Sequence, residues 1–251
     1  TRTRVSITVL VAFAFSAFTG PIFAAYTEEI LGALQTSDNL TVVAEEATWR
    51  SGAVSYMHGA AQIGLLFCCF SVASACAFGP EQLRSYYRTR GRSQVQLFGP
   101  RLVVAALAVL VGVVLGALLA WYEIALLFDD VSHGRLIAAF ALQSAAIVTL
   151  SLLAGVGAIA TNSPGPCALA TFLAAFVFDF LSGDTGVFAW SPTALLRPYS
   201  ILDGARVTEF ARPLVGSVVV LVVASGLALR RPLRHRLTSP GGQERRSHAF
   251  S

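Results

Sequence analysis

Few side chains in this sequence have the types and spacing that enzyme chemistry requires. Arginine supplies all 18 of the lysine and arginine side chains. A Gly-x-x-x-x-Gly-Lys-[Ser/Thr] phosphate loop needs a lysine to reach the phosphates, so the chain has no such ATPase site. It also has no His-Glu-x-x-His zinc motif and no Gly-x-Ser-x-Gly nucleophile elbow. We therefore predict a protein that is not an enzyme and that has no metal or cofactor of its own.

The cysteines and histidines do not form a metal-binding or redox pattern. The cysteines fall in apolar stretches without the two-residue spacing and histidine partners of a zinc site. Their positions are Cys68, Cys69, Cys76 and Cys167. The histidines are His58, His133, His235 and His248. We expect the thiols to be small buried side chains and the imidazoles to be solvated or interfacial.

One ionisable residue, Asp179, lies inside a predicted membrane span. A charge at the centre of a bilayer costs several kcal/mol, so it persists only with a partner or a function. We expect Asp179 to be an interfacial carboxylate or to form a structural ion pair with an arginine such as Arg197. A role in a translocation path is the alternative.

A basic segment, residues 78–101, separates two apolar runs. Its charged and aromatic side chains recur at helical spacing up to Gly91, which predicts a short amphipathic helix on the membrane surface. The positive-inside rule and the attraction of arginine to anionic lipid would together be enough to explain these arginines. The alternative is a docking helix for a cytoplasmic protein. Its candidate site residues are Glu81, Arg84, Arg88, Arg90 and Arg92.

Two glycines, Gly112 and Gly116, form a Gly-x-x-x-Gly pair in a long apolar run. Such a pair lets a second helix approach closely. Packing within the same chain and packing at a subunit interface are both open at this stage.

These residues must be positioned by helices in lipid. The chain is 55% hydrophobic and 13% charged, with a mean hydropathy of +0.67, whereas a soluble chain carries about a quarter charged residues. Uncharged apolar runs of about 17 to 25 residues predict membrane spans. Six are predicted, at about residues 5–26, 54–78, 102–122, 136–160, 167–182 and 213–229. The Thr-Asn-Ser-Pro-Gly-Pro sequence at 161–166 predicts the turn between the fourth and fifth.

The predicted fold class is therefore all-α, a polytopic membrane protein with one six-span domain over residues 1–230. The basic tail, residues 231–251, is expected to be cytoplasmic and disordered. An N-in, C-in orientation puts 13 arginines inside and five outside, in agreement with the positive-inside rule. Because the arginines flank apolar runs, we expect membrane lipid and no nucleic acid as a partner. We expect the first run to be a span and not a cleaved leader, since its apolar stretch exceeds the usual length.

The last outer segment, residues 183–212, is too apolar for a solvated loop. The span before it gives only about 24 Å of helix at 1.5 Å per residue, which is short for a full crossing. We therefore expect this segment to return into the membrane as a re-entrant hairpin before the last span.

In these features the sequence resembles the small permease subunits of type-2 ATP-binding-cassette exporters. The resemblance rests on Gly79-Pro80-Glu81, the basic stretch 84–92, Leu97-Phe98-Gly99-Pro100-Arg101 and the outer stretch 191–196, together with the six-span plan. The chain departs from the family at Arg90-Gly91-Arg92, where members often carry Gly-Thr.

The resemblance implies a permease that moves an amphipathic or apolar substrate, such as a drug, lipid or peptide, across a bacterial cytoplasmic membrane. It implies a second permease subunit and separate ATPase subunits, which would hold ATP and magnesium. Glu81 and the arginines of residues 84–92 would then couple the ATPase to the spans. The alternative from another class is an ATP-independent channel, an assembly factor or a non-catalytic subunit of a membrane complex.

Overall fold

The computed structural model describes residues 2–27, 29–30, 47–77, 94–181 and 189–230. Within these ranges the chain forms helices and turns and no β-strand, so the predicted all-α class is confirmed for this part. Six helices in these ranges have 18 residues or more. They are α1 (Arg2–Ala25), α2 (Trp49–Cys76, with one π-helical turn at Ala60–Gly64), α3 (Gln94–Leu127), α4 (His133–Thr161), α5 (Pro164–Leu181) and α6 (Ala211–Arg230).

Five of these helices, α1 to α4 and α6, are long and apolar enough to cross a membrane. The apolar part of α5, Pro164–Phe180, is shorter than the other five. A helix rises about 1.5 Å per residue, so 17 residues cover about 26 Å of a core that is about 30 Å thick. The architecture is that of a membrane-embedded helical protein.

The helix α4 lies at the centre of the bundle. In its apolar stretch 61% of the residues are buried, compared with 17% in α6. It packs against α2, α3, α5 and α6, and its buried face includes Leu136, Phe140 and Ile147. The large exposed apolar side chains lie mainly on α1, α3, α5 and α6, as expected where lipid and not water is the solvent.

The two glycines of the Gly-x-x-x-Gly pair lie against α1 of the same chain. A Cβ at Gly112 would come within 2.9 Å of Val9, and one at Gly116 within 2.7 Å of Phe13. Gly64 of α2 faces the same Phe13 ring at 2.7 Å. Phe13 is fully buried in the slot between them. The structure therefore accounts for this pair by packing within the chain.

The turn between α4 and α5 falls at the predicted place. Asn162 has a φ of 58° and caps α4, with its N–H bonded to the Ala158 carbonyl at 2.8 Å. Pro164 is the first residue of α5, where the missing N–H costs no hydrogen bond. The fifth helix thus begins at residue 164, three residues before the predicted start.

The helices α2 and α3 extend beyond the runs that we predicted as spans; α3 begins at Gln94, eight residues before the predicted run. We predicted a start near residue 54 for α2, but Thr48 caps this helix: its hydroxyl accepts the Ser51 N–H at 3.3 Å. We ended the third span at Tyr122 because a charged residue follows, yet α3 continues to Leu127. Glu123 is only 7% exposed within it.

Candidate functional site: a polar cluster under the 189–210 segment

The chain between α5 and α6 is built from single helical turns. Residues 189–210, which we call the 189–210 segment, contain turns at Pro192–Leu195, Tyr199–Leu202 and Val207–Phe210. The first turn begins where the Ser191 hydroxyl accepts the Thr193 N–H at 3.3 Å. Four apolar side chains of the segment are at most 3% exposed, namely Leu195, Leu196, Ile201 and Leu202. The segment is therefore packed into the bundle and is not a solvated loop.

Gln143 of α4 joins three parts of the structure. Its Nε2 atom donates to the Met57 carbonyl of α2 at 2.7 Å and to the Leu196 carbonyl of the 189–210 segment at 3.1 Å. A side-chain amide has two N–H hydrogens, so both donors are used. The side chain is 2% exposed, so water does not compete for these hydrogen bonds.

Asp179 of α5 and Arg197 of the 189–210 segment form an ion pair. Arg197 Nε lies 3.2 Å from Asp179 Oδ2, although its N–H does not point along that line, so charge attraction and not a linear hydrogen bond holds this contact. The structure thus brings together the two residues that the sequence analysis expected to pair. The carboxylate is neutralised where α5 meets the segment.

A third contact joins α2 to the segment. The Tyr199 hydroxyl lies 3.2 Å from His58 Nε2, and the two ring centroids are 5.7 Å apart. A phenol has an ordinary pKa of about 10. The phenol therefore stays protonated at physiological pH and remains able to donate to the imidazole.

These five side chains form what we call the polar cluster: His58, Gln143, Asp179, Arg197 and Tyr199. Three helices, α2, α4 and α5, contribute to it, and the segment supplies the rest. Each of the five side chains has at least one partner inside the cluster or on the backbone. These contacts fasten the 189–210 segment to α2, α4 and α5.

The site residues predicted for the basic segment after α2 lie outside the described residues. These are Glu81, Arg84, Arg88, Arg90 and Arg92. Of the other predicted residues, Gly112 and Gly116 pack on α1, and Asp179 belongs to the polar cluster. In the described part of the chain, no group of three or more His, Cys, Asp or Glu side chains is placed to hold a metal ion.

Sequence reasoning missed three members of the polar cluster. It assigned His58 to a solvated or interfacial position, whereas this ring is partly buried against Tyr199. It did not single out Gln143 or Tyr199. Gln143 had a usable signal, since it is the one side-chain amide in the apolar stretch 136–160, and polar side chains in spans join helices.

Comparison with models of known protein families, with curated proteins and with solved structures finds no match. The function must therefore be argued from this chain's own residues.

Proposed function

We propose that this chain is the membrane-spanning permease subunit of an ATP-binding-cassette exporter in a bacterial cytoplasmic membrane. Its substrate is an amphipathic or apolar compound, such as a drug, lipid or peptide. Separate ATPase subunits supply the energy, and they hold the ATP and magnesium. A second permease subunit completes the pathway.

The 189–210 segment is the observation that carries this proposal. The family resemblance implies a hairpin that returns into the membrane between the last two spans, and this segment stands at that place in the chain. Its apolar side chains are buried, and polar contacts to α2, α4 and α5 fasten it. A loop on the membrane surface would need neither feature.

The scarcity of ionisable groups in the helices favours an apolar substrate. In the described part of α1 to α6, the buried or half-buried ionisable groups include Glu123 and Asp179, and the latter is already paired with Arg197. A hydrophilic solute would need several unpaired polar groups along its path. The proposed topology has six spans, with both ends and the connection between α2 and α3 in the cytoplasm. In this topology α5 is the short fifth span, completed by the re-entrant segment.

Coupling to the ATPase is assigned to residues 78–92, with Glu81 and the arginines of 84–92 in contact with the ATPase subunit. This contact must differ between the two states of the ATPase, because a ligand shifts an equilibrium only through differential binding.

The experiment is to purify the tagged full chain from its native membrane in mild detergent and to identify by mass spectrometry the proteins present in near-equal amount. We expect an ATPase subunit that carries a phosphate loop. If none appears, even after cross-linking in the membrane, the proposal fails. An ATP-independent channel, assembly factor or complex subunit then becomes the better explanation.

A second test uses the proposed coupling loop. We expect Glu81→Ala to abolish substrate export while the chain still inserts into the membrane at normal levels. The matched control is Glu244→Ala, which removes a carboxylate on the same predicted side of the membrane and is expected to leave export unchanged. Unchanged export in Glu81→Ala would show that this residue has no role in coupling.

A further inference from the structure

A cavity of about 590 Å³ lies between α4, α5, α6 and the 189–210 segment. Its lining includes Leu150 and Leu153 of α4, Phe178 of α5, Val220 of α6 and Trp190 of the 189–210 segment. This volume falls within the range of about 300–1,000 Å³ that is typical of small-molecule sites. The polar cluster is not part of its lining.

The cavity opens sideways, between α5 and α6. Both helices pack against α4 but have almost no contact with each other. Side chains that line the cavity on this side, including Ala174, Phe178 and Val220, are exposed. Since α6 is long and apolar enough to cross a membrane, the mouth faces hydrocarbon when the chain is embedded.

The lining of the cavity extends along one face of α5. Ala170, Ala174 and Phe178 follow one another at four-residue spacing on the same face of α5, and all three line the cavity. Eight residues of helix cover about 12 Å between Ala170 and Phe178, and we call the part of this face that carries the small side chains of Ala170 and Ala174 the furrow. A flexible chain fits such a shape better than a compact ring system.

The hydroxyls in the lining already have partners. Thr171 Oγ1 donates to the Cys167 carbonyl at 2.9 Å, and the hydroxyls of Ser191 and Thr193 bond to each other at 2.7 Å. Among the other lining side chains, Trp190 alone carries a polar atom, its indole N–H. A buried water needs about two to four polar partners, which this cavity does not supply, so an apolar occupant is favoured over water or a polar solute.

We propose that this cavity binds one acyl chain of a membrane phospholipid, which enters between α5 and α6. The chain fills the gap that the two helices leave over α4 and packs along the Ala170–Ala174 furrow, while the headgroup stays outside the cavity. This site is independent of the proposed exporter function, because it requires neither an ATPase subunit nor a transported substrate.

Trp190 provides the test, since the chain has only three tryptophans. The variant W49F/W121F, in the full chain, keeps Trp190 alone. It is titrated in non-ionic detergent with a phospholipid brominated on its acyl chains, because bromine quenches indole fluorescence only at close range. We expect quenching that saturates at a low lipid fraction, on top of any gradual quenching from the micelle. In the same background, A170F/A174F fills the furrow and should remove the saturable part.

The matched control is A108F, which adds one ring at an exposed alanine on α3, away from the cavity. It should keep the saturable quenching. Quenching that rises only gradually, or that is the same with and without A170F/A174F, would overturn the proposal. Phospholipid retained through purification is a second readout that leaves the tryptophans untouched. Wild-type protein should retain one more phospholipid per chain than A170F/A174F, and equal retention would also overturn the site.

Discussion

Asp179 and Arg197 lie 3.2 Å apart, and their side chains are only 14% and 29% exposed. Asp179 is close to the end of α5, and Arg197 is in the middle of the 189–210 segment. Because water reaches this pair poorly, its attraction is screened less than that of a surface pair. The contact fixes the segment to α5 and neutralises the carboxylate of that helix.

A double-mutant cycle with Asp179→Asn and Arg197→Gln should reveal this attraction. Each change leaves a charge partly buried without its partner, so each should lower the free energy of unfolding. Their coupling is expected to be about 1–3 kcal/mol, between the values for exposed and buried pairs. Equilibrium unfolding in mixed micelles measures it.

The exposed pair Arg50–Asp203 is the control for that cycle. Its two atoms are 3.1 Å apart, but the side chains are 47% and 68% exposed. We expect a coupling energy below about 1 kcal/mol there. Equal coupling energies for the two pairs would show that burial adds nothing to the Asp179–Arg197 contact.

The Gln143 amide should contribute more to the free energy of unfolding than the helix propensity of glutamine suggests. Gln143→Met keeps an unbranched side chain of similar length but removes both donors, which leaves the Met57 and Leu196 carbonyls without this partner. We expect a loss of about 1–3 kcal/mol in unfolding free energy and faster proteolysis within the 189–210 segment. Ser144→Ala is the control, because that buried hydroxyl bonds only within its own helix, to the Phe140 carbonyl. If Gln143→Met behaves like Ser144→Ala, the amide does not fasten the segment.

The helices were predictable because lipid imposes a simple rule. A long uncharged run in lipid must be helical to satisfy its backbone, and each of the six long helices in the described residues overlaps a run predicted in this way. The helices extend past the predicted runs where a local hydrogen bond or burial accommodates a charged residue. Thr48 caps α2 upstream of the charged Arg50, and α3 continues through the buried Glu123.

The polar cluster was harder to predict because its partners are distant in sequence. Arg197 was expected near Asp179 because opposite charges in an apolar setting must neutralise each other. No such rule joins Gln143 to the carbonyl of Leu196, since every residue offers a carbonyl and only the packed fold selects one. The pairing of His58 with Tyr199 likewise depends on how the segment crosses α2.

Gly216 should be essential for the close contact between the 189–210 segment and α6. A Cβ at this position would lie 1.9 Å from the Trp190 carbonyl oxygen, a distance that requires the backbone to move. We therefore expect Gly216→Ala to destabilise the fold by about 1–3 kcal/mol and to shift the Trp190 emission. Gly226→Ala, in the same helix, has no neighbour within 4 Å and should be neutral or stabilising by up to about 1 kcal/mol. Equal effects of the two changes would mean that α6 and the segment do not touch as described.

The proposed topology predicts opposite labelling of two short turns on either side of α4. Asp129 precedes α4 and is exposed, and Gly165 follows it with no neighbour within 4 Å of an added Cβ, so a cysteine fits at both positions. In a background without the four native cysteines, a membrane-impermeant maleimide should label Asp129→Cys in intact cells. It should label Gly165→Cys only after the membrane is opened.

The labelling result decides the orientation because a single crossing separates the two sites. The α4 helix has 29 residues, so about 44 Å of helix at 1.5 Å per residue lies between the two turns, more than the thickness of the hydrocarbon core. The reverse pattern would place the arginine-rich connection between α2 and α3 outside, where no ATPase can reach it, and would end the exporter proposal. Labelling of both sites in intact cells would mean that α4 does not cross the membrane.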